Sequence, residues 1–294
     1  MTAVLRAPAQ PGSPVGLIAG AGTFPVAFAA KAKELGIPVA TLGVRNLAAP
    51  DLATLSQSFA WIGLGRLGWS IRWFKRAGVR EVVMAGKVHK AALFGPWGIV
   101  HLLPDLRTIR FWYSRFRNDN KDDSLLLSLI SEFERDGLRF SSALDYCPEL
   151  LVRAGLLTRR RPTAAEEKDI AFGWDLAKEM GRLDVGQSVA VRGRAVLAVE
   201  AIEGTDQAIA RAGHLARRGG FVVVKVAKPQ QDMRFDVPAV GCTTIETMHQ
   251  AGGRVLAIEA GMTILLDEPA TIALADQYGI SIVAMEAAVV RRAA

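Results

Sequence analysis

Several features that mark whole classes of protein are scarce in this sequence. The chain of 294 residues has only two cysteines, Cys147 and Cys242, and they match no metal-binding or redox spacing. Its apolar runs, such as Phe221–Val224 and Ala284–Val290, are too short or too interrupted to cross a bilayer. Residues Met1–Pro14 lack the apolar segment of a secretion signal. These absences predict a cytoplasmic protein with reduced cysteines.

Histidine is equally scarce, and excess charge is of one sign. None of the four histidines is paired at a metal-binding spacing: His89, His101, His214 and His249. The formal net charge is +7, with one dense basic run at Arg159–Arg161 and no accompanying nucleic-acid-binding motif. The charge therefore favours a phosphorylated or membrane-associated substrate, and no nucleic acid is expected as a partner.

What is present is ample apolar sequence with a regular alternation. Half of the residues are hydrophobic, which suffices for a large core, and the length favours two domains. In the first half, short β-type runs alternate with amphipathic segments, which predicts βαβ units and a parallel sheet. The predicted strands are Val15–Ala19, Val39–Val44, Phe59–Ile62 and Glu81–Ala85, and the predicted helices are Phe24–Leu35, Leu67–Ala77 and two between Pro104 and Gly137.

The second half reads as a separate α/β unit behind a linker. Residues 148–163 carry two prolines and the basic run, and Thr163 with Glu166 forms a capping box for a helix over Ala164–Leu183. Further strands and helices alternate to Met285. The predicted fold class is α/β: an N-terminal Rossmann-like parallel-sheet domain over residues 1–147 and a C-terminal α/β catalytic domain over residues 164–294, with the active site in the cleft between them.

A glycine-rich turn follows the first predicted strand. Gly20, Gly22 and Thr23 lead into a helix, where small residues let a phosphate approach the backbone amides. The dinucleotide-binding fingerprint has a third glycine where this chain has Pro25, and Arg45 stands where an NAD-binding protein has an acidic residue. Nucleotide or phosphate contact is favoured over NAD binding. A tight turn without a ligand remains open.

Several separated segments together resemble one family. In order they are Gly16–Pro25, Ala85–Val88, Asn118–Ser124, Pro148–Thr158, Pro162–Gly173, Ala198–Asp206, Lys225–Gln230 and Arg234–Gly241. This ordered set, which spans roughly residues 15 to 286, resembles the LpxI-type UDP-2,3-diacylglucosamine pyrophosphatases of lipid A biosynthesis. His89, Lys90 and Ala91 depart from the family pattern, and Phe94–Leu103 is an extra loop.

The resemblance implies an activity, a cofactor and partners. It implies Mg²⁺-dependent hydrolysis of UDP-2,3-diacylglucosamine to UMP and 2,3-diacylglucosamine 1-phosphate (lipid X), with water attacking the phosphorus nearer the sugar. It also implies a homodimer. Because the substrate is a lipid, we expect transient contact with the inner face of the inner membrane.

The resemblance places the catalytic residue in the C-terminal half. It identifies Asp236 with an aspartate essential in the family, which orients metal or water. Lys225, Lys228 and Arg234 precede it closely in the sequence and suit the neutralisation of a pyrophosphate. On the residues alone, a carboxylate beside three cations is equally a structural salt bridge.

Four further residues are candidates for this site. Thr205 and Asp206 follow a tight turn, where one of them either caps a helix or faces phosphate or metal. Lys87 stands at the carboxyl end of a predicted parallel strand, where open α/β sheets bind ligands, although it could equally be a loop lysine. Asp123 begins a predicted helix and is either a capping residue or a metal ligand. The predicted metal ligands are thus Asp236, Asp206 and Asp123.

A basic and aromatic segment offers a place for the acyl chains. Its apolar members are Trp97, Ile99, Val100, Leu102, Leu103, Phe111, Trp112 and Tyr113, beside Arg107, Arg110, Arg115 and Arg117. Such a stretch is either a lipid-facing element or an ordinary core helix. Two alternatives to the hydrolase also remain: an NADP-linked oxidoreductase, from the glycine turn and Arg45, and a non-catalytic regulator that binds a nucleotide sugar.

Overall fold

The structure is a computed structural model that describes residues 12–63, 65–86, 104–115 and 122–286. The chain forms two compact units. The first comprises the residues up to Pro148 together with Met233–Phe235. The second comprises Glu149–Asp232 and the residues from Asp236 onwards.

The first unit is built on a five-stranded parallel sheet. Its strands are β1 (Val15–Ala19), β2 (Val39–Val44), β3 (Ser58–Ile62), β4 (Glu81–Ala85) and β5 (Arg139–Ser141). Their order is β3-β2-β1-β4-β5, and every pair is parallel. The chain therefore winds outwards from β1 in one direction and then from β4 in the other, which creates a topological switch point between these two strands.

Helices cover this sheet: α1 (Phe24–Glu34), α2 (Leu52–Leu55), α3 (Leu67–Arg76), α4 (Leu106–Arg115) and α5 (Asp122–Glu134). Phe74 of α3 and Phe133 of α5 pack with Val82 and Phe140 in one apolar core. Phe28 of α1 is fully buried and makes an edge contact with Tyr146. The burial of such aromatic side chains supplies much of the free energy that stabilises the unit.

The second unit is built on a six-stranded mixed sheet. Its order is β6 (Gly155–Leu156), β13 (Ser281–Met285), β11 (Gly253–Glu259), β9 (Phe221–Lys225), β7 (Ser188–Arg192) and β8 (Ala195–Val199). The three central strands β13, β11 and β9 are parallel, while β6, β7 and β8 join antiparallel to their neighbours. A separate parallel pair consists of β10 (Ala239–Val240) and β12 (Ile264–Leu265).

Helices bury both faces of this sheet. Helix α6 (Ala164–Arg182) packs on one face, where it meets Val222 and Val224 of β9. Helices α7 (Thr205–Leu215), α8 (Cys242–Ala251) and α9 (Glu268–Tyr278) accompany Val223 on the other face. A continuous apolar run such as β9 is what a strand buried on both faces requires.

Most predicted elements are confirmed, including the two α/β units and the capping box, in which Thr163 and Glu166 exchange side-chain and backbone hydrogen bonds. Of the two alternatives for Thr205 and Asp206, capping of α7 is contradicted by the structure. The N-cap is Gly204 at φ +87°, and Thr205 is already the first helical residue. Most of the segment assigned to a linker lies in the second unit, where β6 pairs with β13 and Arg160 binds Glu166.

Candidate functional site

In the first unit, the candidate site is the carboxyl edge of β1 and β4. The amide of Gly20 donates a hydrogen bond to the carbonyl of Ala85 over 2.8 Å, which holds the two strand ends together. Gly86 has φ +87°, and a Cβ there would lie 2.6 Å from the carbonyl oxygen of Ala21. Only glycine therefore lets β4 end so close to the glycine-rich turn.

The tip of this turn is open to solvent. Gly22, at φ +100°, and Thr23 are exposed, and nothing lies within 4 Å of a Cβ placed on Gly22. Helix α1 begins at Phe24 with no acidic residue in its first turn and no side-chain cap. Because the first amides of a helix lack intrahelical acceptors, this end is suited to an anion. Lys87 lies outside the described residues.

In the second unit, a buried lysine marks the carboxyl end of β9. Lys225 is 3% exposed, and its ammonium donates to the hydroxyl of Thr205 over 2.8 Å. That hydroxyl donates in turn to Oε1 of Glu200 over 2.9 Å, and Glu200 is also buried. Two predicted site residues are thus brought together, and the carboxylate that completes this Glu200–Thr205–Lys225 network is one that sequence reasoning missed.

A turn before α7 supports this network. Glu203 accepts a hydrogen bond from the amide of Ala201 and forms an ion pair with Arg211. A hydrogen bond from its own backbone amide, together with the Arg211 guanidinium, holds the pKa of Glu203 below its ordinary value. Asp206 is exposed in the first turn of α7, where the helix dipole favours a carboxylate.

A second buried charge lies on the opposite face of the same sheet, at the end of β11. Glu259 is 5% exposed and accepts hydrogen bonds from Lys178 of α6 at 2.6 and 2.7 Å. It also accepts from the amide of Ala227 over 2.8 Å, so it fixes the first residues that follow β9. The sequence gives no signal of this role, because Lys178 and Glu259 are far apart along the chain.

The loop after β9 carries the remaining candidates of the second unit. Lys228 Nζ lies 2.6 Å from Asp184 Oδ1 and 4.0 Å from Asp236 Oδ2. The Asp236 side chain is 37% exposed, whereas that of Lys228 is 16% exposed. The loop therefore presents a carboxylate to solvent beside a largely buried cation. Arg234 belongs to the first unit, where it lies 3.8 Å from Glu134.

Among the described residues there is no group of three or more histidine, cysteine or acidic side chains that could hold a metal ion. Of Asp123, the structure describes only the backbone, in the first turn of α5. Asp236 is the predicted ligand that combines solvent exposure with a place in this loop. One carboxylate fits the usual way of binding Mg²⁺, which keeps several waters and takes further oxygens from substrate phosphates.

No helix in the described ranges is long and apolar enough to span a membrane. The four described histidine and cysteine side chains belong neither to the Glu200–Thr205–Lys225 network nor to the loop after β9; they are Cys147, His214, Cys242 and His249. Cys147 and Cys242 form no disulfide. His249 stacks on Tyr278 with ring centroids 3.8 Å apart.

Comparisons with known proteins cover almost the whole chain. A family model described as LpxI N-terminal domain matches residues 14–150, and one described as LpxI C-terminal domain matches residues 153–283. The chain is also similar to the UDP-2,3-diacylglucosamine pyrophosphatase LpxI of Caulobacter vibrioides (strain ATCC 19089 / CIP 103742 / CB 15). The two are 33% identical over 280 residues, which is 92% of this chain and 97% of that protein.

Proposed function

The chain belongs to the LpxI family, and from this premise we propose that it is a hydrolase that cleaves the pyrophosphate of UDP-2,3-diacylglucosamine in lipid A biosynthesis. The observation that carries the proposal is the extent of the similarity, which includes both halves of the chain and nearly all of the curated relative. Because both units of the family are present, the similarity supports an activity that depends on both.

We assign the chemistry of this reaction to the loop after β9. Hydrolysis of a pyrophosphate requires an oriented water molecule and neutralisation of the negative charge that the phosphoryl oxygens carry. The exposed carboxylate of Asp236 would orient the water towards the phosphorus nearer the sugar. Lys228, 4.0 Å from that carboxylate, would neutralise the phosphates, and we assign the same task to Arg234.

We assign two further tasks to the predicted binding residues. The glycine-rich turn of the first unit, with Gly20, Gly22 and Thr23, would contact phosphate through the start of α1. In the second unit, Lys225 is too deeply buried to be an open phosphate ligand, so we propose that it acts through Thr205 by fixing the first turn of α7. Lys87 remains a predicted substrate contact.

We propose that Mg²⁺ is the cofactor. Asp236 would hold it, with Asp206 and Asp123 as the other predicted ligands, and the ion would neutralise charge on the phosphoryl oxygens when bound. The exposure of Asp236 and Asp206 leaves room for water and phosphate ligands. The test is the dependence of turnover on MgCl₂ after treatment with EDTA: restored turnover supports the assignment, and turnover that is insensitive to EDTA contradicts it.

The reaction itself is tested with isotopically labelled water. The purified protein is incubated with UDP-2,3-diacylglucosamine and Mg²⁺ in H₂¹⁸O, and both products are analysed by mass spectrometry. Label in the 2,3-diacylglucosamine 1-phosphate supports attack at the sugar-side phosphorus, whereas label in UMP moves the attack to the other phosphorus. We expect Asp236→Asn to lower kcat at least about 100-fold, because the residue orients a reactant.

The labelled-water experiment and an absorbance assay with NADPH together separate the alternatives. A regulator that binds the nucleotide sugar would retain it without cleaving it, in the wild-type protein and in Asp236→Asn alike. An NADP-linked oxidoreductase would change the absorbance of the reduced cofactor. Arg45, which carried that alternative, is exposed after β2, and its amide donates to the carbonyl of Ile62.

We further propose a cytoplasmic protein that visits an anionic membrane surface to collect its lipid substrate. Helix α4 exposes Leu106, Ile109 and Tyr113 beside Arg110. Apolar side chains next to a cation are suited to the boundary between headgroups and acyl chains. A homodimer is also proposed, from the family alone. Sedimentation equilibrium tests it, and a single monomeric mass at micromolar concentration would contradict it.

A further inference from the structure

The side chain of Gln231 links two points of the loop after β9. Gln231 Oε1 accepts a hydrogen bond from the amide of Lys228 over 2.7 Å, and Gln231 Nε2 donates one to the carbonyl of Asp236 over 2.6 Å. A backbone amide can only donate and a carbonyl can only accept, so these partners fix which way the glutamine amide points.

Backbone hydrogen bonds tie the same loop. The amide of Gln231 donates to the carbonyl of Lys228 over 3.0 Å, and the amide of Asp236 donates to the carbonyl of Asp232 over 3.0 Å. The three residues between these ends, Met233–Phe235, belong to the first unit. The chain thus leaves the second unit after Asp232 and returns at Asp236, and the Gln231 side chain spans from before this excursion to its end.

We propose that Gln231 is a positioning residue for the hydrolysis, because it sets the separation between Lys228 and Asp236. This inference rests on the proposed function, which gives those two residues their roles. The Lys228 ammonium is additionally held by Asp184, 2.6 Å away. Gln231 contacts the backbone of both residues, at the amide of Lys228 and at the carbonyl of Asp236, so it sets the distance between the points from which their two side chains extend.

The effect on catalysis should exceed the effect on stability. Gln231 is only half-buried. When its side chain is removed, water can therefore bind the Lys228 amide and the Asp236 carbonyl in its place at little cost in stability. A displacement of a reacting group by about 1 Å can lower turnover about 100-fold. If Gln231 only supported the fold, its removal would lower stability more than turnover.

The test compares Gln231→Met with Gln230→Met. Methionine matches the length of glutamine and removes both hydrogen-bonding ends. Gln230 is a matched control, since it is the adjacent glutamine and its amide donates instead to the carbonyl of Gly181 over 3.2 Å. Steady-state kinetics give kcat and KM for each variant. Hydrogen–deuterium exchange of the peptide over residues 226–240 reports on the loop without requiring turnover.

We expect Gln231→Met to lower kcat about 10- to 100-fold with KM within about threefold of the wild-type value. We also expect faster exchange in the loop and an unchanged melting temperature, while Gln230→Met behaves like the wild type. Gln231→Glu keeps the acceptor for the Lys228 amide but loses the donor to Asp236, so it should recover only part of kcat.

Three results would overturn the inference: unchanged kcat in Gln231→Met, a raised KM with unchanged kcat, or a loss of kcat that Gln230→Met shares. Absence of turnover in the wild-type protein has a different meaning. It would contradict the proposed function, and the exchange data would still decide whether Gln231 holds the loop.

Discussion

Two glycines, one after β1 and one after β4, differ in what an added side chain would contact. Gly22 and Gly86 both have positive φ, at +100° and +87°, so alanine is strained at either position by about 1–3 kcal/mol. Around Gly22 there is open space, whereas a Cβ on Gly86 would lie 2.6 Å from the Ala21 carbonyl oxygen and 2.8 Å from Pro25 Cγ. At Gly86, the added methyl group must therefore also be forced into packed structure, which costs further free energy.

We therefore expect Gly86→Ala to lower the free energy of unfolding more than Gly22→Ala does, by a further ~1–3 kcal/mol. Urea denaturation of both variants measures the difference. Equal losses would show that backbone strain alone determines the cost at both glycines, and that the close approach of β4 to the glycine-rich turn has no energetic consequence.

The Glu200–Thr205–Lys225 network makes a prediction at the same scale. Thr205→Val removes the hydroxyl that links two buried charged groups, and we expect it to lower the free energy of unfolding by about 2–3 kcal/mol. Thr271→Val is the control, because it removes another buried hydroxyl, which donates to the neutral carbonyl of Leu266. Thermal denaturation should show a larger loss for Thr205→Val and recovery in Thr205→Ser; equal losses in the two valine variants would contradict the prediction.

At the scale of elements, one carboxylate serves two helices. Asp105 Oδ1 accepts from the amide of Thr108 in the first turn of α4, and Oδ2 accepts from the amide of Trp69 in the first turn of α3, each over 2.9 Å. A single N-cap contributes about 0.5–2 kcal/mol. We expect Asp105→Ala to lower the free energy of unfolding by about 1–4 kcal/mol, twice the range for a single N-cap, as measured by urea denaturation.

The same carboxylate gives stability a dependence on pH. Burial alone would raise the pKa of Asp105, but hydrogen bonds from Thr108, Trp69 and Gly68 outweigh it and hold the pKa below its ordinary value. A lowered pKa in the folded state means that the ionised group stabilises the fold above the pKa of the unfolded chain, and that this contribution is lost as pH falls through the folded-state value.

The prediction is that the wild type exceeds Asp105→Asn in stability at pH 7 and that the two converge below about pH 4. Denaturation in urea at a series of pH values measures the difference. A difference in stability that is constant over this range of pH would mean that the acceptor oxygen lost in asparagine, rather than the charge, explains the variant.

Predictability from sequence also depends on the element. The sequence predicts the bounds of β1, β2, β4 and α6 to within a residue or two, because the local pattern of apolar residues determines these elements. The short strands β5, β6 and β10 were not predicted. Two or three residues carry no period, and these strands exist because a neighbouring strand offers hydrogen bonds.

At the scale of the whole molecule, the sequence predicts individual site residues better than it predicts which of them contact each other. Lys225 and Thr205 were predicted as substrate contacts, yet neither their hydrogen bond nor the Glu200 carboxylate follows from spacing. Nor could spacing show that Met233–Phe235 lie in the first unit while Asp232 and Asp236 lie in the second. Such relations arise from long-range packing, which a local pattern does not encode.

Helix α4 connects the charge of the whole molecule to its proposed lipid substrate. Leu106, Ile109 and Tyr113 are 86%, 50% and 74% exposed, and with Arg110 they follow helical spacing along one face. Thr108 and Phe111 lie on the side turned into the first unit. With a net charge of +7, this face is expected to attract anionic lipid as well as insert apolar groups into it.

The protein should therefore sediment with vesicles of phosphatidylglycerol and phosphatidylcholine more than with phosphatidylcholine alone, and less as salt is raised, because salt screens the attraction. The double variant Leu106→Gln and Ile109→Gln should weaken binding at least about 10-fold, since apolar insertion is lost. Leu215→Gln is the control, because Leu215 is 63% exposed at the end of α7 in the second unit. Equal binding by the double variant and the control would mean that α4 does not face the lipid, and binding that is insensitive to salt would remove charge as the cause.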